Sequence, residues 1–284
     1  MKFEIEKAEK TGFCFGVRRA VNTLEKLAGS RGGVETLGAV VHNEQVLERL
    51  AKLGVRVAPD IPAITGDVIV TSSHGVTPET EETLKNRNLE VVSTTCPFVL
   101  RAQGAARRLA EAGFHVIVYG DRDHPEVTGI LGWARGKGLA TTTVAEVNRL
   151  TPLPRRLGIL SQTTQVPAYF LDFVKGIIDS GFVKDSEIRI VDTICHDIRE
   201  RQESALALAR RVDLMLVIGG PKSANTKRLG ELCAAVTRTH LIETAAGISP
   251  RWLDGVERVG VTSGASTPES VVEEVIERLA ELTA

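Results

Sequence analysis

The chain has 284 residues, with 35 Lys and Arg against 36 Asp and Glu, 43% hydrophobic residues and only 4% aromatics. This balance excludes a disordered tail, a low-complexity or collagen-like chain, and a nucleic-acid binder working through bulk positive charge. Length suggests about two domains at roughly 150 residues each, and no apolar run is long enough to span a bilayer. Four cysteines are too few for a disulfide scaffold. They read as reduced thiols of a cytoplasmic protein, and they need another explanation.

The opening MKFEIEKAEK alternates charge with Phe3 and Ile5, as a strand does, and lacks the apolar core of a signal peptide. Residues 44–53 follow as an amphipathic helix with Val46, Leu47, Leu50 and Leu53 on one face. Strand-like apolar runs come at 67–72, 115–120, 156–161, 213–220 and 258–263, each ending in small or polar residues. Helices open at Pro78, Pro167 and Pro268, where a residue without an N–H is favoured. The pattern predicts an α/β fold of mostly parallel strands with helices on both faces. No Pro- or Gly-rich linker divides it, so its domains abut.

An internal repeat organises these elements. With Cys14, Cys96 and Cys195 as origins, the residue 24 positions on is Gly38, Gly120 and Gly219, each at a strand end. The residue 28 positions on is His42, His124 and Ser223, each a polar group in the following loop. Three strand–loop–helix segments, VIVTSSHGVTPE, LGILSQTTQVP and VGVTSGASTPE, repeat later in each copy. The chain therefore divides into three similar α/β modules, 1–95, 96–193 and 194–284. Their strand ends are expected to face one centre about a pseudo-threefold axis, where helix N-termini suit phosphate.

Cys14, Cys96 and Cys195 each precede a helical stretch, and helix N-termini favour the metal-binding thiolate. Three soft thiolates suit an iron–sulfur cluster, or zinc with a histidine as fourth ligand, whereas unrelated buried cysteines are the bland reading. Cys233 falls out of register, on a helical face with Leu229, Leu232 and Val236, and reads as core. His42, His74 and His124 lie in loops at equivalent strand ends, where structural histidines are the alternative to a shared anion site. Ser223, Asn225 and Ser266 add donors, although Ser and Asn also cap helices routinely. No Walker-type loop is present, so a diphosphate ester fits better than a nucleoside triphosphate. Glu126, in the first turn after His124, is ordinarily a partner of the helix dipole, yet here it is the carboxylate placed to deliver a proton. Thr163, the counterpart of His74 and Ser266, would relay that proton or hold a substrate hydroxyl.

At these residues the chain resembles the 4-hydroxy-3-methylbut-2-enyl diphosphate reductase family, the last step of the methylerythritol phosphate route to isoprenoids. The likeness runs from GFCFGVRRA through HNEQV, SSHGV, TCPFV, HPEV, SQTT, DTIC and KSANTKRL to GASTPE, in the family's order and spacing. It implies a cloverleaf of three α/β domains around a 4Fe-4S cluster held by Cys14, Cys96 and Cys195, with one iron open to substrate. It further implies that His42, His74, His124, Ser223, Asn225 and Ser266 bind the allylic diphosphate, with Glu126 and Thr163 near its hydroxyl. Ferredoxin or flavodoxin is the implied electron donor; neither nucleic acid nor membrane is a partner. Ala224, Asp123, Gln103 and the stretch CHDIRERQ depart from the family pattern, which bears on affinity and loop shape more than on chemistry. The competing readings are a zinc hydrolase of phosphate esters and a cluster-bearing redox sensor without substrate.

Overall fold

The computed structural model describes residues 2–136, 138–150, 152–181 and 185–283. Strand β1 (Glu4–Lys7) leads into helix α1 (Phe15–Arg31). Then come β2 (Val34–Leu37), α2 (Glu44–Lys52), β3 (Val55–Ala58), β4 (Val68–Thr71), α3 (Pro78–Lys85) and β5 (Glu90–Ser93). The pattern repeats as α4 (Pro97–Glu111), β6 (His115–Tyr119), α5 (Pro125–Trp133), β7 (Gly138–Thr141), α6 (Val144–Asn148), β8 (Arg156–Ser161), α7 (Pro167–Gly181) and β9 (Glu187–Val191). It repeats again as α8 (His196–Ala209), β10 (Leu214–Ile218), α9 (Ala224–Ala234), β11 (Arg238–Ile242), β12 (Arg258–Ser263) and α10 (Glu269–Thr283).

The strands form three four-stranded parallel sheets, in the orders β3-β2-β4-β5, β7-β6-β8-β9 and β11-β10-β12-β1. All three share one topology: the first strand of the set lies second and the third lies beside it. The α/β class and the three similar modules expected from the repeat are thus present. The third sheet takes its fourth strand from the beginning of the chain, with Glu4 opposite Arg258 and Lys7 opposite Val261. The first residues therefore pair with the last module, which linear spacing cannot reveal because strand pairing is not set by adjacency.

By packing, the chain forms two compact units: Met1–Arg18, Val41–Arg49 and His196–Ala284 in one, Arg19–Val40 and Leu50–Cys195 in the other. The first holds the sheet built on β10. Leu214, Leu216 and Ile218 face Val271, Val272, Val275 and Leu279 of α10, while Met215 and Val217 face Leu208 of α8 and Leu229 and Cys233 of α9. This alternation is the period of a strand covered on both faces. Within the second unit, β6 repeats it: Val116 and Val118 pack under α4 and α5, Ile117 and Tyr119 under Phe170, Phe173 and Ile177 of α7. Cys233 is fully buried, as expected, and burial pushes its thiol up to about 12. Val236, expected on the same apolar face, is instead exposed, because α9 has already ended at Ala234. Among the described residues, no helix is long and apolar enough to cross a membrane.

Candidate active site

In each sheet the crevice of an α/β fold opens at the carboxyl ends of the two strands where the winding reverses. In the first unit these are β10 and β12. The N-terminus of α9 enters between them because Gly219 and Gly264 leave room. A Cβ on Gly219 would stand 2.6 Å from Thr226 Oγ1, and one on Gly264 closer still. Ser223 caps α9, its hydroxyl accepting from the Thr226 N–H at 3.3 Å. Asn225 and Ser266 are buried, yet Asn225 Nδ2 and Oδ1 and Ser266 Oγ have no hydrogen-bond partner among the described residues. Native interiors leave few such atoms unpaired, and a helix N-terminus with unused donors suits an anion.

The same loops hold two more of the expected residues. A Cβ on Gly220 would lie 3.0 Å from the His42 carbonyl oxygen, so residue 42 adjoins the loop that ends at Ser223. Burial holds the His42 imidazole below its usual range, which favours the neutral ring. Cys14 donates its N–H to the Ala265 carbonyl at 3.0 Å, next to Ser266, and its Sγ accepts from the Val17 N–H at 3.4 Å. Cys14, His42, Ser223, Asn225 and Ser266 are accordingly neighbours within one unit.

The second unit brings the others together. His124 caps α5, its Nδ1 accepting from the Glu126 N–H at 3.1 Å. That bond leaves the neutral ring's proton on Nε2, available to an acceptor. The His74 ring meets it edge-on, with centroids 5.2 Å apart. Glu126 is 2% exposed. Its Oε1 accepts from the Thr163 N–H at 2.6 Å and its Oε2 from the Thr163 hydroxyl at 2.9 Å. The Thr163 carbonyl in turn accepts from the Cys195 N–H at 2.9 Å, and the Ser73 carbonyl, next to His74, accepts from the Cys96 N–H at 3.0 Å. Cys96, Cys195, His74, His124, Glu126 and Thr163 thus form one connected set.

None of the four cysteines forms a disulfide among the described residues. Cys14 follows β1, Cys96 follows β5 and Cys195 follows β9, in each case the fourth strand of its sheet, and each introduces a helix. The donor set of three equivalent soft sulfurs fits an iron–sulfur centre. One expectation about the thiols needs correcting. Burial pushes the Cys96 thiol up, and the N–H groups of Phe98 and Val99 at the start of α4 and the Arg19 cation offset only part of this, while the Glu126 charge adds to it. The helix terminus alone does not make Cys96 a thiolate.

The departures from the family pattern also find places. Gln103 is buried, its Nε2 donating to the Val76 carbonyl at 3.3 Å just beyond His74, and Trp133 Nε1 donates to the same oxygen at 3.2 Å. Asp123 is exposed, and Ala224 is the first residue of α9. Two residues of the site's support escaped the sequence reading. Gln162 is buried and its Oε1 accepts from the Asp121 N–H at 3.1 Å, holding the loop that carries His124. Arg201 is buried in α8, where its neighbours Glu200 and Gln202 make the helix face look ordinarily polar.

Comparisons with known proteins bear on the chain as a whole. The chain matches the LytB protein family over residues 5–280. It is 58% identical over 281 residues to a 4-hydroxy-3-methylbut-2-enyl diphosphate reductase of Dehalococcoides mccartyi (strain CBDB1), covering 99% of each chain. It is 48% identical over 280 residues to the protein of that name from Geobacter metallireducens, covering 98% of each. Among solved structures, an (E)-4-hydroxy-3-methyl-but-2-enyl diphosphate reductase superposes with a TM-score of 0.72 at 39% identity, over 98% of this chain and 99% of that one. A Plasmodium falciparum structure, titled E-1-hydroxy-2-methyl-but-2-enyl-4-diphosphate reductase, gives a TM-score of 0.92 at 25% identity, over 99% of this chain and 89% of that one. Matched almost end to end in sequence and in fold, the chain belongs to the LytB protein family.

Proposed function

We propose that the chain is a 4Fe-4S-dependent reductase. It removes the C4 hydroxyl of 4-hydroxy-3-methylbut-2-enyl diphosphate, giving isopentenyl and dimethylallyl diphosphates in the cytoplasm with ferredoxin or flavodoxin as donor. The observation that carries this reading is the buried Glu126 carboxylate, tied through both oxygens to Thr163, whose carbonyl holds the Cys195 amide. An electron carrier has no need of a buried acid joined to a hydroxyl, and a zinc hydrolase is told apart by its metal.

Cys14, Cys96 and Cys195 would hold the cluster. When bound, such a cluster supplies electrons singly and Lewis acidity at an iron without a protein ligand. The α9 terminus with Ser223, Asn225 and Ser266, and the rings of His42, His74 and His124, bind the diphosphate and fix the substrate's position. Glu126 holds the proton. When protonated it donates to Thr163 Oγ, and the Thr163 hydroxyl turns to donate to the departing oxygen. The C–O bond breaks, two electrons and two protons enter, one water leaves, and the carbon frame keeps one hydrogen.

The test is anaerobic reconstitution with iron and sulfide, then a reductase assay with the allylic diphosphate. Formation of both five-carbon diphosphates is the expected result. A protein that holds zinc without sulfide, or a loaded protein that leaves the substrate intact, overturns the reading.

A further inference from the structure

Arg201 is an arginine with 2% side-chain exposure in the middle of α8. Its Nη1 donates to the Ser263 carbonyl at 3.0 Å and the Lys10 carbonyl at 3.3 Å, and its Nη2 to the Gly12 carbonyl at 3.0 Å. The nearest carboxylate oxygen, Asp197 Oδ1, stands 3.6 Å from Nη2, outside hydrogen-bond reach. Burying a guanidinium costs several kcal/mol, and a well-packed apolar side chain commonly serves stability as well or better. Packing alone therefore does not explain this residue.

The three carbonyls belong to two loops far apart in sequence and side by side in the first unit. One runs from β1 to Cys14, the other from β12 to Ser266. They touch directly at two more points: the Gly12 N–H donates to Ser263 Oγ at 3.0 Å and the Cys14 N–H to the Ala265 carbonyl at 3.0 Å. Gly12 has φ +70°, a left-handed conformation that residues with a side chain rarely adopt, so the turn into this loop favours glycine. The planar fork of an arginine matches carbonyls on two separate segments, which the single ammonium of a lysine does not.

We propose that Arg201 is a positioning residue: it locks the Cys14 loop to the Ser266 loop, so that a metal-binding thiol and a diphosphate donor keep a fixed relation. Its positive charge suits a place next to two anion-binding loops. The inference rests on the proposed function for what Cys14 and Ser266 bind, but not for the locking itself.

The experiment compares Arg201→Lys and Arg201→Met with Val275→Ala, a core substitution in α10 that weakens the same unit without touching either loop. Amide hydrogen exchange at Gly12 and Cys14 reads the lock, calorimetry with inorganic pyrophosphate reads the anion site, and iron release to a chelator reads the thiol. Arg201→Lys is expected to speed exchange at both amides, to weaken pyrophosphate binding about tenfold, and to hasten iron release. Its KM for the diphosphate should rise more than its kcat falls. If Arg201→Met does not fold, the lysine variant decides. Loss of thermal stability no different from Val275→Ala, with exchange, pyrophosphate affinity and iron release unchanged, overturns the proposal. A wild-type chain that binds neither pyrophosphate nor iron overturns the functional reading instead, and amide exchange then judges the lock alone.

Discussion

Asn225→Ala should make the ligand-free protein more stable and the anion site weaker. Asn225 is only 7% exposed, and both polar atoms of its amide lack a partner among the described residues. Such unpaired burial costs about 1–3 kcal/mol, and alanine removes the amide while keeping Cβ, so that cost disappears. Alanine is also the better helix residue by up to about 0.7 kcal/mol in the first turn of α9. Little apolar surface is lost in exchange, so a gain of about 1–3 kcal/mol is expected in urea unfolding. The same change deletes a proposed donor to the diphosphate, and pyrophosphate affinity should fall about tenfold by calorimetry. The opposite signs are the signature of a group held ready for a ligand. A variant destabilised by more than about 1 kcal/mol, with pyrophosphate affinity unchanged, refutes that reasoning and makes the amide an internal strut.

Glu126→Gln keeps an acceptor for the Thr163 N–H and a donor for its oxygen, so folding and iron content should survive. Turnover should drop about 10²–10⁴-fold, and near wild-type kcat would remove Glu126 from the proton path. Cys96→Ser should abolish the cluster spectrum after reconstitution, whereas Cys233→Ala should leave iron and sulfide intact at a cost of about 1 kcal/mol in thermal unfolding. Equal iron loss in both would contradict the division of the thiols. Burial opposes ionisation of Glu35, but Arg56, the Thr65 hydroxyl and the N–H groups of Thr65 and Gly66 outweigh it and hold the carboxyl at about 2. Because the folded value lies below the unfolded one, this stabilisation is complete above about pH 4.5 and is lost as pH falls toward 2. Glu35→Gln should therefore be less stable than wild type at pH 7, with the difference shrinking in acid; a constant difference across pH would count against it.

Five of the six inner strands were legible because each is a continuous apolar run; the sixth, β2 (VETL), carries Glu35 and Thr36 and was missed. β4, β6, β8, β10 and β12 are buried nearly throughout, and their ends at 68–71, 115–119, 156–161, 214–218 and 258–263 fall within two residues of the sequence reading. Of the flanking strands, β1 was legible from its alternation, but the others were not. β5 (EVVS) and β9 (EIRIV) bury none of their residues and carry no such run, and β11 (RTHLI) mixes charge with apolar residues. Of the candidate site residues, His42, His124 and Ser223 stood out by their shared offset of 28 positions from Cys14, Cys96 and Cys195, and His74, Thr163 and Ser266 by the repeated strand–loop–helix segments that carry them. What supports the site was not legible: Gln162 and Arg201 act through backbone atoms of other segments, and such partners leave no periodicity in the chain that supplies them.

The pairing of β1 with β12 has a consequence for how the chain is made. A ribosome releases β1 early, but its partner around Arg258 follows more than 250 residues later, a wait of about 13–50 s at roughly 5–20 residues per second. Through that interval an unpaired strand and the thiol of Cys14 travel without their final neighbours. The other two sheets draw all their strands from contiguous stretches and can close during synthesis. Of the three cysteines in register, the one translated first is thus the last to be seated, and the cluster proposed to sit on it would wait for the end of translation.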